Sequence, residues 1–335
     1  MSNRTVVVVL AMAMLATSMV MGQVQNSQRL NPMIALHEKG LPVFGVTHPA
    51  IAAGQRGGRG GAAAASDATP PAPPAQPSLA DAARETMAYR MSDFEYDSYS
   101  PATAERFMGY MAALIAAGGS MKTHAFISKI PIVHTNPEVA VQRIYDQLNA
   151  GHAGIIMQEV ETTEEVRQAV AATRFRSKGG TRPEEGIGLA AAYWGLTPAQ
   201  YREKADPWPL NPKGELILWT IIESKAGIAN VREIAAVPGV SVLTVGAGTL
   251  GGVFSSTSAD GQRVRDQAGF DAGVAAVLAA CKEFKKPCSY PANNPAEIER
   301  LMKMGFNTFT MQARNPAAFD AVEAGRRLSG RPLAP

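Results

Sequence analysis

Extended apolar segments alternate with segments of helical period along most of this chain. The extended segments that predict strands are 41–46, 89–95, 130–134, 153–158, 215–223, 240–246, 287–291 and 306–311. The helical patterns that separate most of them are 102–117, 137–150, 163–173, 225–236, 266–284, 295–304 and 316–328. Alternation at this spacing indicates parallel strands joined by crossover helices. The predicted fold is therefore α/β, and eight strands favour a closed (β/α)8 barrel.

Several predicted helices carry the expected signals at their ends. Asn136, Asn294 and Asn315 each precede a proline, so the asparagine caps the helix and the proline fits its first turn. An open Rossmann-like sheet is the rival architecture, because residues 246–248 begin a Gly-x-Gly motif. The third glycine and a helix start do not follow at the spacing that dinucleotide binding requires. The barrel is therefore preferred.

The N-terminus has the pattern of a secretory signal peptide. Arg4 precedes an uncharged apolar run that ends near Gly22. A basic start, a short apolar core and a small-residue exit predict that residues 1–22 are removed on export. A retained anchor is the alternative, since the run is close to the minimum of about 17–20 residues that spans a bilayer. We expect a soluble periplasmic or extracellular protein with no membrane association after cleavage.

Residues 53–78 form a low-complexity stretch rich in glycine, alanine and proline. Such a segment buries too little apolar surface to offset its ordering entropy. It follows the first predicted strand, so one interpretation is a mobile cover over the face of the barrel where catalytic loops gather. Residues 23–330 are predicted to form a single barrel domain that contains this insert.

Charge and cysteine content exclude several classes of protein. The net charge is only +3, with 32 basic and 29 acidic residues spread along the chain, which gives no support for nucleic-acid binding. Cys281 and Cys288 are too few for a disulfide framework or a multi-cysteine zinc site. In an oxidising compartment they either bridge, if their Cα atoms come within about 7 Å, or stay two separate apolar residues.

Polar residues and glycines follow the predicted strands at one end of the barrel. Catalytic groups of such barrels lie after the carboxyl ends of the strands. The residues at these positions are Asp93, Glu95, Tyr96, His134, Gln158, Glu159, Glu223 and the segment 246–251. A merely structural pattern does not predict this series, so the same end of the barrel is the candidate site.

Short motifs in a fixed order resemble those of the HpcH/HpaI aldolase and citrate lyase family. The matching pieces are Asn31-Pro32-Met33-Ile34-Ala35-Leu36, Asp93-Phe94-Glu95-Tyr96, Ala172-Thr173-Arg174-Phe175, Gly186-Ile187-Gly188, Ile222-Glu223-Ser224 and Gly246-Ala247-Gly248-Thr249-Leu250. The match runs from Asn31 to about Gly330, apart from the low-complexity insert and extra residues around 189–214. Each piece is short, and their order and spacing together carry the resemblance.

The resemblance implies a TIM barrel of the phosphoenolpyruvate/pyruvate-binding type that acts on a small pyruvate-like 2-oxo acid. A divalent cation (Mg²⁺, Mn²⁺ or Co²⁺) binds the substrate oxygens and stabilises the enolate formed when a carbon–carbon bond breaks. Family members usually assemble as homo-oligomers. By correspondence of position, the expected residues are Glu223 and Thr249 for the metal, Tyr96 and His134 for catalysis, and Glu95, Gln158, Gly246, Ala247 and Gly248 for the substrate.

Three of these positions depart from the family pattern. Thr249 aligns with the metal-binding aspartate and adds no charge to a dication. Tyr96 aligns with the proton-transfer histidine, and an ordinary tyrosine pKa of about 10 makes it a poor base at neutral pH. His134 aligns with the arginine and lacks its permanently charged fork.

Two classes of function follow from this altered pattern. The first is an aldolase-like carbon–carbon lyase with a rebuilt site, in which Glu223, Glu159, Glu95 or His134 serve as replacement ligands. The alternative is a non-catalytic relative that binds a small carboxylate or a protein partner. A third reading, a metal-independent lyase that forms a Schiff base through Lys225, requires a desolvated lysine.

Overall fold

The computed structural model describes residues 29–49, 77–98 and 101–333. The predicted signal peptide 1–22 and residues 53–76 of the predicted insert lie outside these ranges. The strands are β1 (Val43–Thr47), β2 (Phe94–Ser98), β3 (Phe126–Lys129), β4 (Gly154–Met157), β5 (Pro207–Trp208), β6 (Leu216–Ile222), β7 (Val242–Val245), β8 (Ser255–Thr257), β9 (Arg263–Arg265), β10 (Cys288–Pro291) and β11 (Thr308–Met311).

The helices lie mostly between these strands, as the alternating pattern predicts. They are α1 (Pro32–His37), α2 (Leu79–Ala88), α3 (Pro101–Ala116), α4 (Pro137–Asn149), α5 (Thr163–Thr173), α6 (Gly188–Trp194), α7 (Pro198–Lys204), α8 (Lys225–Ala229), α9 (Val231–Ala236), α10 (Ala247–Val253), α11 (Gln267–Glu283), α12 (Pro295–Met304) and α13 (Pro316–Leu328). A short 3-10 helix spans Arg176–Lys178.

Eight of the strands form a closed parallel barrel. Hydrogen-bonded neighbours follow the order β4, β3, β2, β1, β11, β10, β7 and β6, and a parallel pairing between β4 and β6 closes the ring. Strand β5 adds two residues beside β6, and β8 and β9 form an antiparallel hairpin. The predicted (β/α)8 barrel is confirmed, and the open-sheet alternative is wrong.

A ring contact across the barrel identifies the side chains that point into it. Phe94 on β2 lies edge-on against Trp219 on β6, with ring centroids 5.3 Å apart, although these strands are not neighbours. Successive residues of a strand point to opposite faces. Strand β2 therefore directs Phe94 and Tyr96 inward and Glu95 outward toward the helices. Phe94 and Trp219 are both buried and fill the middle of the barrel.

The predicted helix caps are present. The side chains of Asn136, Asn294 and Asn315 each accept a hydrogen bond from a backbone N–H in the first turn of α4, α12 and α13. Gly305 ends α12 with a φ of 106°, a left-handed conformation that favours glycine. Helix α2 was not predicted, although Ser78 caps it by accepting from the Asp81 N–H.

Two strands lie elsewhere than the sequence pattern predicted. Strand β3 was expected at 130–134 and occupies Phe126–Lys129, because Pro131 has no N–H to donate to a neighbouring strand. Strand β2 was expected at 89–95 and occupies Phe94–Ser98. Asp93 therefore precedes β2, at the amino end of the barrel, rather than following the strand as predicted.

The extra residues around 189–214 cover the amino end of β4. Tyr193 and Trp194 are buried there, and they donate hydrogen bonds to the carbonyl oxygens of His124 and Gly151. These aromatic side chains pack on the outside of the barrel and do not line the predicted site.

A disulfide joins Cys281 in α11 to Cys288 at the start of β10. Their Cα atoms are 5.6 Å apart, within the range that the sequence argument required. Both residues are buried. None of the described helices has the length and apolar character that crossing a membrane requires.

Candidate functional site

Glu223 lies directly after β6 at the carboxyl end of the barrel. Trp219 points inward, so alternation along the strand directs Ile221 and Glu223 to the same side. One Glu223 carboxylate oxygen, Oε1, accepts the backbone N–H of Glu159 at 3.0 Å. The carboxylate is therefore held by the loop after the neighbouring strand β4.

The environment of Glu223 shifts the pKa of its carboxyl upward. Burial raises the pKa of this carboxyl, while hydrogen bonds from the Thr249 hydroxyl and the Glu159 N–H oppose the shift. The Lys129 ammonium also lowers the Glu223 pKa through its charge. A carboxyl with a raised pKa is a better proton acceptor at neutral pH than an ordinary glutamate.

Gly246 leaves the space that Glu223 occupies. A Cβ atom at Gly246 would lie 2.4 Å from Glu223 Cβ and 2.6 Å from its Oε2. Helix α10 begins at the next residue and carries Ala247, Gly248 and Thr249 beside the carboxylate. The predicted pair of Glu223 and Thr249 is thus brought together, with Gly246 packed against it.

Lys129 is a site residue that the sequence interpretation missed. It ends β3 and pairs with Ile156, which in turn pairs with the inward-pointing Trp219, so Lys129 also points into the barrel. Its charge acts on Glu223. The signal in the sequence was a basic residue two positions before Pro131, at the end of an apolar segment.

Tyr96 also points into the barrel, two residues beyond Phe94 on β2. Its ring is 6.2 Å from that of Phe94 and is 8% exposed, so the tyrosine lies on the inner wall above the buried core. Tyr96 pairs along the sheet with Thr47 and Ile127. Tyr96 therefore lies within β2 and faces the barrel interior, rather than following the strand as predicted.

Glu95 lies outside the barrel, contrary to its predicted place in the substrate site. Its carboxylate accepts hydrogen bonds from Arg314 Nη1 at 2.8 Å and from the Ser92 hydroxyl at 3.1 Å. Burial raises the pKa of Glu95 to about 8, and the Arg314 charge opposes this shift. The location is corrected because β2 begins at Phe94, which turns Glu95 toward the helices.

His134 also lies away from the inner wall. It is exposed in the loop after β3, and its Nδ1 is 3.1 Å from the carboxylate of Glu165 in α5. The position is corrected because β3 ends at Lys129, five residues earlier. The basic group that faces Glu223 is Lys129.

Gln158 and Glu159 follow β4 as predicted, and both contribute to the loop geometry. The Gln158 side chain donates to the carbonyl oxygen of Ile130 at 2.8 Å and so links the loops after β3 and β4. Glu159 has a φ of 46°, which is uncommon for a residue with a side chain. This conformation directs the Glu159 N–H toward Glu223.

The donor atoms around Glu223 do not fit a tightly held divalent cation. Among residues 29–49, 77–98 and 101–333, no group of three His, Cys, Asp or Glu side chains is placed to hold a metal ion. Thr249 is neutral, and the Lys129 ammonium repels a cation. Oxygen-coordinated dications in proteins usually draw on several carboxylates or carbonyls.

Lys225 does not point into the site. It is exposed at the start of α8, and its Nζ lies 5.5 Å from the centre of the Phe254 ring. The desolvated environment that a Schiff-base lysine requires is therefore missing at this position.

Comparison with known proteins places this architecture in a family. The model of the HpcH/HpaI aldolase/citrate lyase family matches residues 115–286, more than half of the chain. The chain belongs to the HpcH/HpaI aldolase/citrate lyase family. The matched segment contains β3, β4, β6 and β7, and therefore Lys129, Glu223 and Thr249.

Relatives with curated names and solved structures agree with this membership. A 5-keto-4-deoxy-D-glucarate aldolase of Salmonella newport (strain SL254) is 28% identical over 198 residues, which is 56% of this chain and 66% of that protein. The match thus spans slightly less than two thirds of that relative. An HpcH/HpaI aldolase/citrate lyase family protein from Burkholderia cenocepacia J2315 has a TM-score of 0.61 at 21% identity, covering 89% of this chain and 97% of that one.

An HpcH/HpaI aldolase from Desulfitobacterium hafniense DCB-2 has a TM-score of 0.57 at 14% identity. The match covers 90% of this chain and 98% of that structure. At this level of identity, both solved structures support the barrel fold and nothing finer.

Proposed function

We propose that this protein is an aldolase-like carbon–carbon lyase that acts on a 2-oxo acid derived from pyruvate. The observation that carries the proposal is the inward-facing pair of Glu223 and Lys129 at the carboxyl end of the barrel. Family membership and the 28% identity to an aldolase support the reaction class. The relative's own substrate suggests a hydroxylated 2-oxo acid.

The charge of Lys129 suits recognition of such a substrate. A 2-oxo acid carries a carboxylate beside its keto oxygen, and cleavage places further negative charge on that oxygen. An ammonium fixed on a strand end stabilises charge that develops in the transition state, because it needs no reorganisation when the bond breaks. Lys129 thereby provides the positive charge that the resemblance assigned to a metal ion.

Glu223 is the proposed proton carrier. In a 4-hydroxy-2-oxo acid, the Glu223 carboxylate accepts the proton of the C4 hydroxyl as the C3–C4 bond breaks. The electron pair of that bond forms the enolate, whose C2 oxygen faces Lys129, and the aldehyde fragment leaves. The protonated Glu223 then returns the proton to C3 and yields the 2-oxo acid. The raised pKa of Glu223 suits both steps.

The metal-stabilised form of this reaction stays a prediction. Glu223 and Thr249 are the residues that would hold the cation, and one carboxylate beside an ammonium binds a dication weakly. We therefore derive no step through a metal. The experiment below distinguishes the two forms.

Pyruvate release from 4-hydroxy-2-oxo acids tests the proposal. Purified protein is treated with EDTA and assayed with and without added Mn²⁺. We expect turnover in EDTA, and a loss of about 100-fold or more in kcat/KM for both Glu223→Gln and Lys129→Met. Lys213→Met, an exposed lysine outside the site, is the matched control. Turnover that returns only with Mn²⁺ contradicts the metal-free form, and no turnover under either condition contradicts the lyase proposal.

A non-catalytic relative that binds a small carboxylate is the second candidate. The neutral Thr249 and the weakly basic Tyr96, at positions that carry an acid and a histidine in the family pattern, favour it. Under this function, pyruvate raises the melting temperature of the wild type and not of Lys129→Met, because only binding to the folded state stabilises it. No 4-hydroxy-2-oxo acid is then turned over.

Export and self-association are further parts of the proposal. The basic and apolar N-terminal sequence supports a periplasmic or extracellular location, and the Cys281–Cys288 disulfide suits an oxidising compartment. A homo-oligomer is expected from the family resemblance alone. Fractionation of the cells of origin and light scattering of the mature protein test these two points.

A further inference from the structure

A polar cavity lies at the opposite end of the barrel from Glu223. This basal pocket has a volume of about 240 Å³ and is lined by Arg90, Asp93, Lys122, Arg326 and Arg331, among others. Asp93 immediately precedes β2, and Arg331 donates to the carbonyl oxygen of Pro42, which immediately precedes β1. The pocket therefore opens at the amino ends of the strands, where the proposed lyase site has no part.

Positive charge in the basal pocket exceeds negative charge by three. Four cationic side chains line it, and Asp93 is the single acidic residue among its lining residues. Arg331 engages both carboxylate oxygens of Asp93, so the charge of this aspartate is already shared. Arg326 Nη1 stands 3.7 Å from the same carboxylate.

Several donors in the pocket have no acceptor. Arg326 is 6% exposed and donates through Nε to the Pro332 carbonyl and through Nη1 to the Met91 carbonyl, whereas its Nη2 donates to no acceptor in the described ranges. Arg90 and Lys122 are exposed and form no ion pair with any described residue. Burial, and then the charge of Arg331, lower the pKa of Arg326. The cluster is thus electrostatically unbalanced.

We propose that the basal pocket binds a phosphate-type oxyanion, either free phosphate or the phosphate of a small phosphomonoester. Guanidinium groups match the geometry of phosphate oxygens and bind them through paired hydrogen bonds. A multivalent anion balances the three excess charges better than a single carboxylate does. The volume is below that of the pockets that hold drug-sized ligands, which suits a small anion.

Binding of inorganic phosphate to the purified full-length protein tests this assignment. The protein is titrated with sodium phosphate and, at matched pH and ionic strength, with sodium chloride. We expect phosphate to raise the melting temperature beyond the chloride series, because it binds the folded state alone. A parallel calorimetric titration gives the dissociation constant, and glycerol 3-phosphate replaces phosphate in a third arm.

Matched variants locate the site. The double variant Arg90→Gln/Lys122→Gln removes the two exposed charges, and Lys39→Gln/Lys213→Gln removes two exposed charges elsewhere. We expect the first pair to weaken phosphate binding about tenfold or more and the second pair to leave it unchanged. The melting temperature of each variant in chloride verifies folding.

Four outcomes decide the proposal. Tighter binding of glycerol 3-phosphate than of phosphate identifies a phosphomonoester site, and equal or weaker binding identifies a site for free phosphate. A phosphate effect no larger than that of chloride overturns the proposal. So does unchanged phosphate affinity in Arg90→Gln/Lys122→Gln.

Discussion

Gly246 and Glu223 stand at the ends of neighbouring strands and occupy touching positions. The carboxylate of Glu223 fills the space where any side chain at position 246 would begin. The Glu223 side chain therefore restricts position 246 to glycine. Hydrogen bonds from Glu159 and Thr249 orient the Glu223 carboxylate. The geometry of the site therefore depends on the missing side chain of Gly246 as well as on Glu223.

Substitution of Gly246 by alanine tests this dependence. The new Cβ displaces Glu223, so we expect a loss of about 1–3 kcal/mol in the free energy of unfolding and at least a tenfold drop in lyase turnover. Chemical denaturation measures the first effect. Gly248→Ala is the stability control, since no atom lies within 4 Å of its added Cβ and alanine favours helix α10. Equal stability of the two variants contradicts the prediction.

His152 makes the protein sensitive to acid. Its Nδ1–H donates to the Gln147 carbonyl at 2.8 Å, and its Nε2 accepts from the Ser128 hydroxyl at 2.8 Å, so the folded state holds the neutral ring. Burial lowers the pKa of His152 from 6.5 to about 3. Below pH 6.5 the unfolded chain therefore binds a proton at His152 that the folded state does not bind. The free energy of unfolding falls as the pH drops from 6.5 toward 3.

The variant His152→Gln isolates this contribution. We expect the wild type to lose about 2 kcal/mol more than the variant between pH 7.5 and pH 5, since each unit of pKa difference corresponds to about 1.4 kcal/mol. Urea unfolding at several pH values measures the two curves. Parallel curves contradict the prediction, whatever the absolute stability of the variant.

The site was partly predictable from the sequence, and its errors come from two misplaced strands, β2 for Glu95 and β3 for His134. Glu223, Thr249 and Gly246 lie together as expected because their strands were predicted nearly in register. Lys129 was missed and His134 chosen because the pattern placed β3 at 130–134, across Pro131, instead of at Phe126–Lys129. In a strand of four residues, the alternation of apolar and polar side chains is too short to indicate where the strand ends.

At the scale of secondary structure, the connection between α11 and β10 is covalently fixed. Cys281 and Cys288 are seven residues apart, and the disulfide closes a small loop between the end of the helix and the start of the strand. Cross-linking lowers the conformational entropy of the unfolded chain. In the entropy model, a loop of this size stabilises the folded state by about 2–3 kcal/mol.

The double variant Cys281→Ala/Cys288→Ala tests the contribution of this bond. We expect its free energy of unfolding to fall by about 2–3 kcal/mol relative to the oxidised wild type, by chemical denaturation. Dithiothreitol should lower the stability of the wild type and leave the double variant unaffected. A wild type that is indifferent to the reductant shows that the bond contributes nothing.

Most elements were foreseeable because local signals agreed with the fold. The asparagine caps of α4, α12 and α13 are present as predicted, and strands β4, β6 and β7 differ by one or two residues from their predicted bounds. Helix α2 was missed because it follows a low-complexity stretch, where the alternating pattern has no strand on one side. The disulfide could not be decided, since spacing alone does not fix the distance between two Cα atoms.

At the scale of the whole molecule, the barrel closes where β4 meets β6. Gly154 begins β4 and pairs with Ile217, and a Cβ atom at Gly154 would lie 2.0 Å from the Ile217 carbonyl oxygen. That oxygen belongs to the backbone and cannot rotate away. The closing contact therefore requires glycine.

Alanine at position 154 should force the closing strands apart. We expect Gly154→Ala to lose about 3 kcal/mol or more, the upper end of the cost of overpacking, because backbone must move on both strands. The matched control is Gly188→Ala at the start of α6, where an added Cβ has no neighbour within 4 Å. Thermal unfolding of the two variants measures the difference, and similar melting temperatures contradict the role of the closing contact.

The contact between the Phe94 and Trp219 rings fills the barrel axis, so the barrel is not an open channel. A molecule that reaches Lys129 therefore enters at the carboxyl end of the barrel, because the two rings block the path along the axis from the basal pocket. In the proposed lyase reaction, both product fragments therefore leave at the carboxyl end of the barrel.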